Sequence, residues 1–163
     1  MGIGAICHTV NPRLFPEQIA WIINHAQDRV VMVDTTFVPV LEKIADKLPS
    51  VERYIILTDK AHMPQTTLKN AVAYEDWIAE VDGKFVWRNF DENTAAAMCY
   101  TSGTTGDPKG VLYSHRSNVL HALIANSKDA LGTSASDVMK IPFALLPSFG
   151  IVGKLMRYRP KRN

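Results

Sequence analysis

A segment rich in glycine and hydroxyl groups, residues 101–110, most constrains what this chain can fold into and bind. It contains three glycines, three threonines, one serine and one lysine. Glycines let the backbone turn through positive φ and approach a ligand closely, and successive N–H groups can then converge on an anion. The hydroxyls add hydrogen-bond donors or an oxygen ligand for Mg²⁺, and Lys109 adds a positive charge. A triphosphate fits this set of groups, although composition alone is equally typical of a flexible turn.

Strand-like segments flank this loop on both sides. Residues 94–100 are small and apolar and run directly into it, and residues 110–114 leave it as a second short strand. A Walker A motif has its lysine directly after the last glycine and a helix next. Here Pro108 precedes Lys109, Gly110 follows it, and a strand comes next. The G-x-G-x-x-G spacing of dinucleotide folds is also absent. The loop is therefore of a different type.

The remaining chain alternates between strand and helix patterns. Apolar runs at residues 4–10, 29–34 and 53–59 predict strands, the last two buried on both faces. Helical spacing predicts helices over residues 16–26, 38–48 and 74–81, and over about 118–131 with Ser114 or Ser117 as the cap. Strands alternating with helices indicate an α/β domain with a mostly parallel sheet and flanking helices.

Composition excludes several classes of protein. An apolar fraction of 47% and a charged fraction of 21% are typical of a globular domain rather than a disordered chain. A net charge of +2 is too small to favour a nucleic-acid partner. Cys7 and Cys99 lack the spacing of a zinc site or a disulfide framework. No apolar run is long enough to span a membrane, and no secretory signal is present, so we expect a soluble, cytoplasmic protein.

The amino-acid sequence of the loop resembles a known signature. Residues 100–110, YTSGTTGDPKG, are nearly identical to the signature of the adenylate-forming (AMP-binding) superfamily, which includes acyl-CoA synthetases, luciferases and the adenylation domains of peptide synthetases. Residues 111–118 are also similar to that superfamily. Residues 4–14, 23–26 and 29–34 resemble bacterial medium- and long-chain fatty-acyl-CoA synthetases. The resemblance covers about residues 2–139 and implies a partial N-terminal domain of that fold, an internal or truncated fragment. Residues 140–163 then form a divergent tail, for which we hypothesise a shifted reading frame or a truncated gene.

The resemblance implies a reaction and a set of site residues. An ATP-dependent ligase of this family converts a fatty acid to acyl-AMP and then to acyl-CoA, with ATP, Mg²⁺ and CoA taking part. Thr101 becomes a candidate for Mg²⁺ contact, and Lys109 is expected to engage the leaving pyrophosphate or to steady the loop. His115 either lies near the adenylate or acyl channel, or anchors the start of a helix. Cradling of the ATP phosphates falls to Ser102, Gly103, Thr104, Thr105 and Gly106.

The chain also departs from the family. We do not find the aromatic-Gly-x-Thr-Glu segment, the ribose-binding aspartate, the hinge or the C-terminal lid with its catalytic lysine. We therefore expect no complete catalytic set and little ligase activity from this polypeptide alone. Two alternatives stay open: adenylation of an aryl or amino acid, and a non-enzymatic nucleotide-binding remnant. The expected partners are ATP, fatty acid and CoA. Uncovered apolar faces favour self-association, and peripheral membrane contact is a further expectation.

Titratable residues outside the loop have simpler interpretations. Asp34 and Asp59 follow strands, where carboxylates often cap turns. His8, His25 and His62 lack a recognisable metal-ligand spacing. We interpret all five as structural.

Overall fold

The computed structural model describes residues 1–101, 107–132 and 151–153. Within these ranges the chain forms a seven-stranded sheet and four α-helices. The strands are β1 Cys7–Val10, β2 Val30–Val33, β3 Arg53–Ile56, β4 Ala71–Ala73, β5 Ala95–Thr101, β6 Lys109–Ser114 and β7 Ile151–Gly153. The helices are α1 Pro16–Ala26, α2 Val38–Glu42, α3 Tyr74–Ala79 and α4 His115–Ala125.

The strand order is β4-β3-β2-β7-β1-β5-β6. Strands β1 to β5 all run in one direction, while β6 and β7 run in the other, because β6 pairs antiparallel with β5 and β7 pairs antiparallel with both β1 and β2. The predicted α/β architecture with a mostly parallel sheet is confirmed. The carboxyl ends of five strands therefore meet at the same edge of the sheet.

Helix α1 begins and ends where the sequence predicted. Pro16 occupies its first turn, where the missing N–H costs nothing, and Gln27 ends it in the left-handed conformation at φ 54°. Its apolar face is fully buried in one core with residues of β2 and β3. Each buried isoleucine contributes about 1.5–3 kcal/mol relative to an exposed one. The fully buried members are Ile19, Ile23, Val31, Val33 and Ile56.

The predicted helix over residues 38–48 is wrong in detail. The α-helix ends at Glu42, and a 3₁₀ turn over Ala45–Lys47 follows. The backbone tightens to i→i+3 hydrogen bonds, from Ile44 N–H to Leu41 C=O at 3.1 Å and from Lys47 N–H to Ile44 C=O at 2.9 Å. The apolar spacing nevertheless identified the core residues of this segment correctly, since Val38, Leu41, Ile44 and Leu48 are buried.

The last predicted helix is shorter than expected and starts earlier. Helix α4 begins at His115 because Ser114 caps it, with its Oγ accepting the Ser117 N–H at 3.0 Å. It ends at Ala125 rather than near residue 131. The sequence did not predict β4, which has only three residues, two of them alanine. None of the helices in the described ranges has the length and apolarity that crossing a membrane requires.

Candidate phosphate-binding site

The glycine-rich segment connects β5 to β6. The two strands form an antiparallel hairpin whose last paired residues before the connection are Thr101 and Lys109. This register brings a hydroxyl and an ammonium group, eight positions apart in sequence, to directly opposed positions. Five of the predicted cradle residues, Ser102, Gly103, Thr104, Thr105 and Gly106, lie outside the described residues.

The hairpin connection lies at the carboxyl edge of the sheet. In open α/β sheets, ligands bind in the crevice at this edge. Strand β1 is the parallel neighbour of β5, with Thr9 beside Cys99. Strand β1 ends at Val10, and Asn11 directly follows it. The exposed turn that follows includes Arg13, whose backbone N–H donates to Asn11 Oδ1 at 3.0 Å. The strand next to β5 is therefore followed, at its carboxyl end, by a polar turn with one exposed cationic side chain.

Thr101 and Lys109 are both exposed, so each can reach a ligand in solvent. An ammonium group on a flexible stem binds phosphate as a point charge. Mg²⁺ prefers oxygen ligands and usually keeps several waters alongside one or two protein oxygens and the substrate phosphates. The hydroxyl of Thr101 can supply one such protein oxygen. In the described ranges, no group of three His, Cys, Asp or Glu side chains could hold a metal by itself.

A polar and aromatic cluster lies behind the hairpin base. The hydroxyl of Tyr100 is 2.7 Å from His25 Nδ1, and the His25 ring stacks on Trp21 with centroids 4.6 Å apart. The His8 ring lies 5.2 Å from the Tyr100 ring, and His8 Nδ1 is 2.7 Å from Asp28 Oδ2. Both His8 and Asp28 are fully buried. We call these five residues the hairpin-base cluster.

The hairpin-base cluster keeps Tyr100 protonated. Burial raises the pKa of the Tyr100 phenol above its ordinary value, and the Asp28 carboxylate raises this pKa further. The phenol therefore keeps its proton while it shares a hydrogen bond with His25 Nδ1. Sequence reasoning treated His25 as structural and gave Tyr100 no role. The one available signal was the position of Tyr100 directly before the loop.

His115 lies far from the loop. It follows β6 at the end opposite Lys109, and five residue steps from Lys109 to Ser114 span roughly 17 Å. Its ring lies against Phe90 with centroids 4.7 Å apart, and its Nε2 is buried without a hydrogen-bond partner among the described residues. The cleft beside it measures about 150 Å³, below the several hundred Å³ that a ligand pocket usually needs. The structure thus does not bring His115 to Thr101 and Lys109, and its role in acid binding stays a prediction.

The other titratable residues have local partners. Asp34 caps the turn after β2 by accepting the Thr36 N–H at 2.8 Å, and hydrogen bonds from Thr36 lower the pKa of its carboxyl. Asp59 accepts from the backbone and the ring of His62, and these hydrogen bonds lower the pKa of Asp59. The two carboxylates serve different turns, as their positions after strands indicated.

Comparison with known proteins identifies relatives over most of the chain. The sequence profile of the family described as "AMP-binding enzyme" matches residues 1–156. A 3-methylmercaptopropionyl-CoA ligase of Ruegeria lacuscaerulensis is 50% identical over 138 residues, which are 85% of this chain and 26% of the relative. A medium-chain-fatty-acid–CoA ligase of Ectopseudomonas oleovorans is 47% identical over 138 residues, again 85% of this chain and 25% of the relative. The chain thus spans about a quarter of the length of these relatives.

A solved structure agrees with the architecture. The crystal structure of an anthranilate CoA ligase in complex with anthranoyl-AMP superposes with a TM-score of 0.62 at 27% identity. The match covers 70% of this chain and 21% of the other. The sheet and helices described above therefore recur as part of a larger fold.

Proposed function

The chain belongs to the family of AMP-binding enzymes, and on this premise we propose that its β5–β6 hairpin binds the phosphates of ATP during acyl-adenylate formation. The observation that carries the proposal is the pairing of Thr101 with Lys109 at the carboxyl edge of the sheet. A ligand at that edge meets the hydroxyl, the ammonium group and the backbone of the glycine-rich connection together.

The proposed reaction has two steps. The carboxylate oxygen of the acid attacks the α-phosphorus of ATP, and pyrophosphate leaves with the electrons of the broken P–O bond. The thiol of CoA then attacks the acyl carbon, and AMP leaves. Lys109 neutralises charge on the β and γ phosphates as pyrophosphate departs, and electrostatic stabilisation of this kind is a large term in phosphate chemistry. Mg²⁺, when bound, supplies further charge neutralisation, and the Thr101 hydroxyl is the oxygen we assign to it.

The glycine-rich connection has its own part in the proposal. Ser102 and Thr104 offer hydroxyls, and Gly103 and Gly106 allow the backbone N–H groups to approach phosphate oxygens closely. Thr105 adds a third hydroxyl. These assignments come from the motif alone and complete the phosphate cradle that Thr101 and Lys109 begin.

For the acid, we propose an aliphatic carboxylic acid, with a medium-chain fatty acid as the first candidate. The support is the similarity to the Ectopseudomonas ligase, whose name specifies medium-chain fatty acids. The Ruegeria relative is similarly close and is named for 3-methylmercaptopropionate, which is also aliphatic. The aryl alternative has weaker support, since the anthranilate ligase is only 27% identical.

Titration of this chain with ATP and with tripolyphosphate, followed by ³¹P NMR, tests the phosphate site. We expect Lys109→Ala to weaken both affinities about tenfold, the equivalent of about 1.4 kcal/mol for losing one charge contact at an exposed site. Lys84→Ala is the matched control, because Lys84 is also an exposed lysine but lies outside the hairpin. Equal affinities of the wild type and the Lys109→Ala variant contradict the assignment.

A chimera tests the full reaction. Residues 1–139 replace the aligned segment of the Ectopseudomonas ligase, and ATP–pyrophosphate exchange is measured with decanoate, 3-methylmercaptopropionate, benzoate and an amino acid. We expect exchange with an aliphatic acid, and its loss on Lys109→Ala. The chain alone is expected to release little pyrophosphate from ATP and decanoate. A rate similar to that of the intact relative contradicts this expectation.

Self-association is the further proposal for partners. Helix α4 has no buried residue, and large apolar side chains are exposed on it and on β6. Several large apolar side chains exposed on one helix and on the strand before it favour an interaction site. Sedimentation equilibrium measures self-association, and vesicle flotation distinguishes it from membrane contact. The exposed apolar residues are Leu112, Val119, Leu120, Leu123 and Ile124.

For the compartment we propose the cytoplasm, because both cysteines lack a disulfide partner.

A further inference from the structure

The side chain of Tyr100 ties the hairpin base to helix α1. Tyr100 directly precedes Thr101 in β5, and its hydroxyl forms a 2.7 Å hydrogen bond with His25 Nδ1. His25 lies in the last turn of α1 and is itself held by stacking on Trp21. The Trp21 ring also meets the Tyr100 ring edge-on, with centroids 6.2 Å apart. Tyr100 thus has one polar and several ring contacts to groups outside its own hairpin.

The opposite strand gives the Tyr100 ring its room. Gly110 is the direct partner of Tyr100 in the β5–β6 ladder. A Cβ on Gly110 would lie 3.1 Å from Cζ and 3.2 Å from Cε1 and the hydroxyl oxygen of Tyr100. The ring therefore lies across the backbone of β6, one residue away from Lys109. The ring is therefore packed at the ladder pair next to the one that presents Thr101 and Lys109.

We propose that Tyr100, held by His25, is a positioning residue that sets the separation of Thr101 and Lys109 for the polyphosphate tail of the nucleotide. The inference rests on the proposed function and deepens it. Tyr100 itself does not contact the ligand. It acts through Thr101, its neighbour in the chain, and through Lys109, the ladder partner of Thr101. The affinity for a ligand that contacts two groups at once depends steeply on the distance between those groups.

Tripolyphosphate binding to the full chain tests the proposal. Tyr100→Phe keeps the ring and removes only the hydroxyl, and we expect it to weaken tripolyphosphate affinity three- to tenfold in ³¹P NMR titrations. His25→Leu, at an exposed helix position, removes the hydrogen-bond partner of Tyr100 and should have the same effect. Because both variants break the same hydrogen bond, the double variant should lose no more than either single one. His25→Gln restores a side chain that can both donate and accept a hydrogen bond, and it should recover most of the affinity.

A matched control separates positioning from general stability. Tyr54→Phe makes the same chemical change in a buried tyrosine of β3, across the sheet from the hairpin. It should leave tripolyphosphate affinity unchanged even where urea unfolding shows lower stability. Far-UV circular dichroism checks that each variant is folded, and His25→Leu carries the test if Tyr100→Phe is not.

The outcomes distinguish the two proposals. If the wild-type chain does not bind tripolyphosphate, the proposed function fails and the positioning role fails with it. If the wild type binds and the folded Tyr100→Phe and His25→Leu variants bind equally well, the positioning role is overturned while the phosphate site stands. Additive losses in the double variant overturn the part assigned to His25.

Discussion

Replacement of Gly110 by alanine probes how tightly the hairpin base is packed. The added Cβ would meet the far end of the Tyr100 ring at 3.1–3.2 Å, closer than ordinary van der Waals contact. The ring has to move away by a few tenths of an ångström. That movement stretches the 2.7 Å hydrogen bond from Tyr100 to His25, whose own ring is stacked on Trp21. The Tyr100 ring, which has to move, is thus restrained by its contact with His25.

Two opposing terms decide the size of the effect. Overpacking in a well-packed region costs about 1–3 kcal/mol. Replacing glycine by alanine where the backbone permits it gains about 0.4–1 kcal/mol by restricting the unfolded chain. Gly110 lies in strand backbone rather than the left-handed region, so this gain applies. We expect Gly110→Ala to lower the free energy of unfolding by about 1 kcal/mol.

Urea unfolding followed by far-UV circular dichroism measures this difference. Gly83→Ala is the matched control, because a Cβ at Gly83 has no atom within 4 Å and should be neutral or slightly stabilising. In a Tyr100→Phe background the ring is released from His25, so Gly110→Ala should cost less by roughly half. The reasoning is refuted if Gly110→Ala is as stable as the wild type, or if its cost is the same in both backgrounds.

Three further predictions concern the core, acid stability and association. Asp28→Ala should lower the free energy of unfolding by about 3 kcal/mol in urea, because it leaves the fully buried His8 without its partner. Glu52→Ala, in the exposed pair with Arg29, should have a much smaller effect. The folded-state pKa of Asp34 lies below its unfolded value, so the stabilising effect of its carboxylate is complete above about pH 4 and is lost as the pH falls through the folded pKa. Asp34→Asn should therefore reduce the loss of stability with falling pH that is measured between pH 2 and 6. An unchanged pH dependence in this range contradicts the prediction. Leu123→Lys on the exposed face of α4 should shift sedimentation equilibrium toward the monomer, and an unchanged mass contradicts self-association through this face.

Local patterns predicted the elements that local physics determines. The 3.6-residue spacing and Pro16 were enough to give both ends of α1, because its caps, Phe15 and Gln27, are the residues next to it in the sequence. The apolar runs at β2 and β3 indicated strands buried between layers. The strands on either side of the glycine-rich segment were also predicted, because short apolar runs precede and follow a segment that contains several glycines and Pro108.

Contacts between distant residues could not be predicted in the same way. Tyr100 and His25 are 75 residues apart, and the bond between them depends on α1 packing next to β5. His8 and Asp28 are 20 residues apart, and from sequence each is ordinary: a histidine in an apolar run and an aspartate before a strand. The insertion of β7 between β1 and β2 joins residues separated by more than a hundred positions. No periodicity within a segment carries this information.

The direction of β6 links the fold to the proposed site. Had the chain crossed over after β5 to form another parallel strand, Lys109 would have left the carboxyl edge with a connecting helix. The antiparallel hairpin instead returns Lys109 to the position opposite Thr101. A seven-residue connection between them can then contain several glycines and hydroxyls while its ends stay fixed by the ladder. The site thus depends on the hairpin register as much as on the motif, and Tyr100 and Gly110 form the ladder pair next to Thr101 and Lys109.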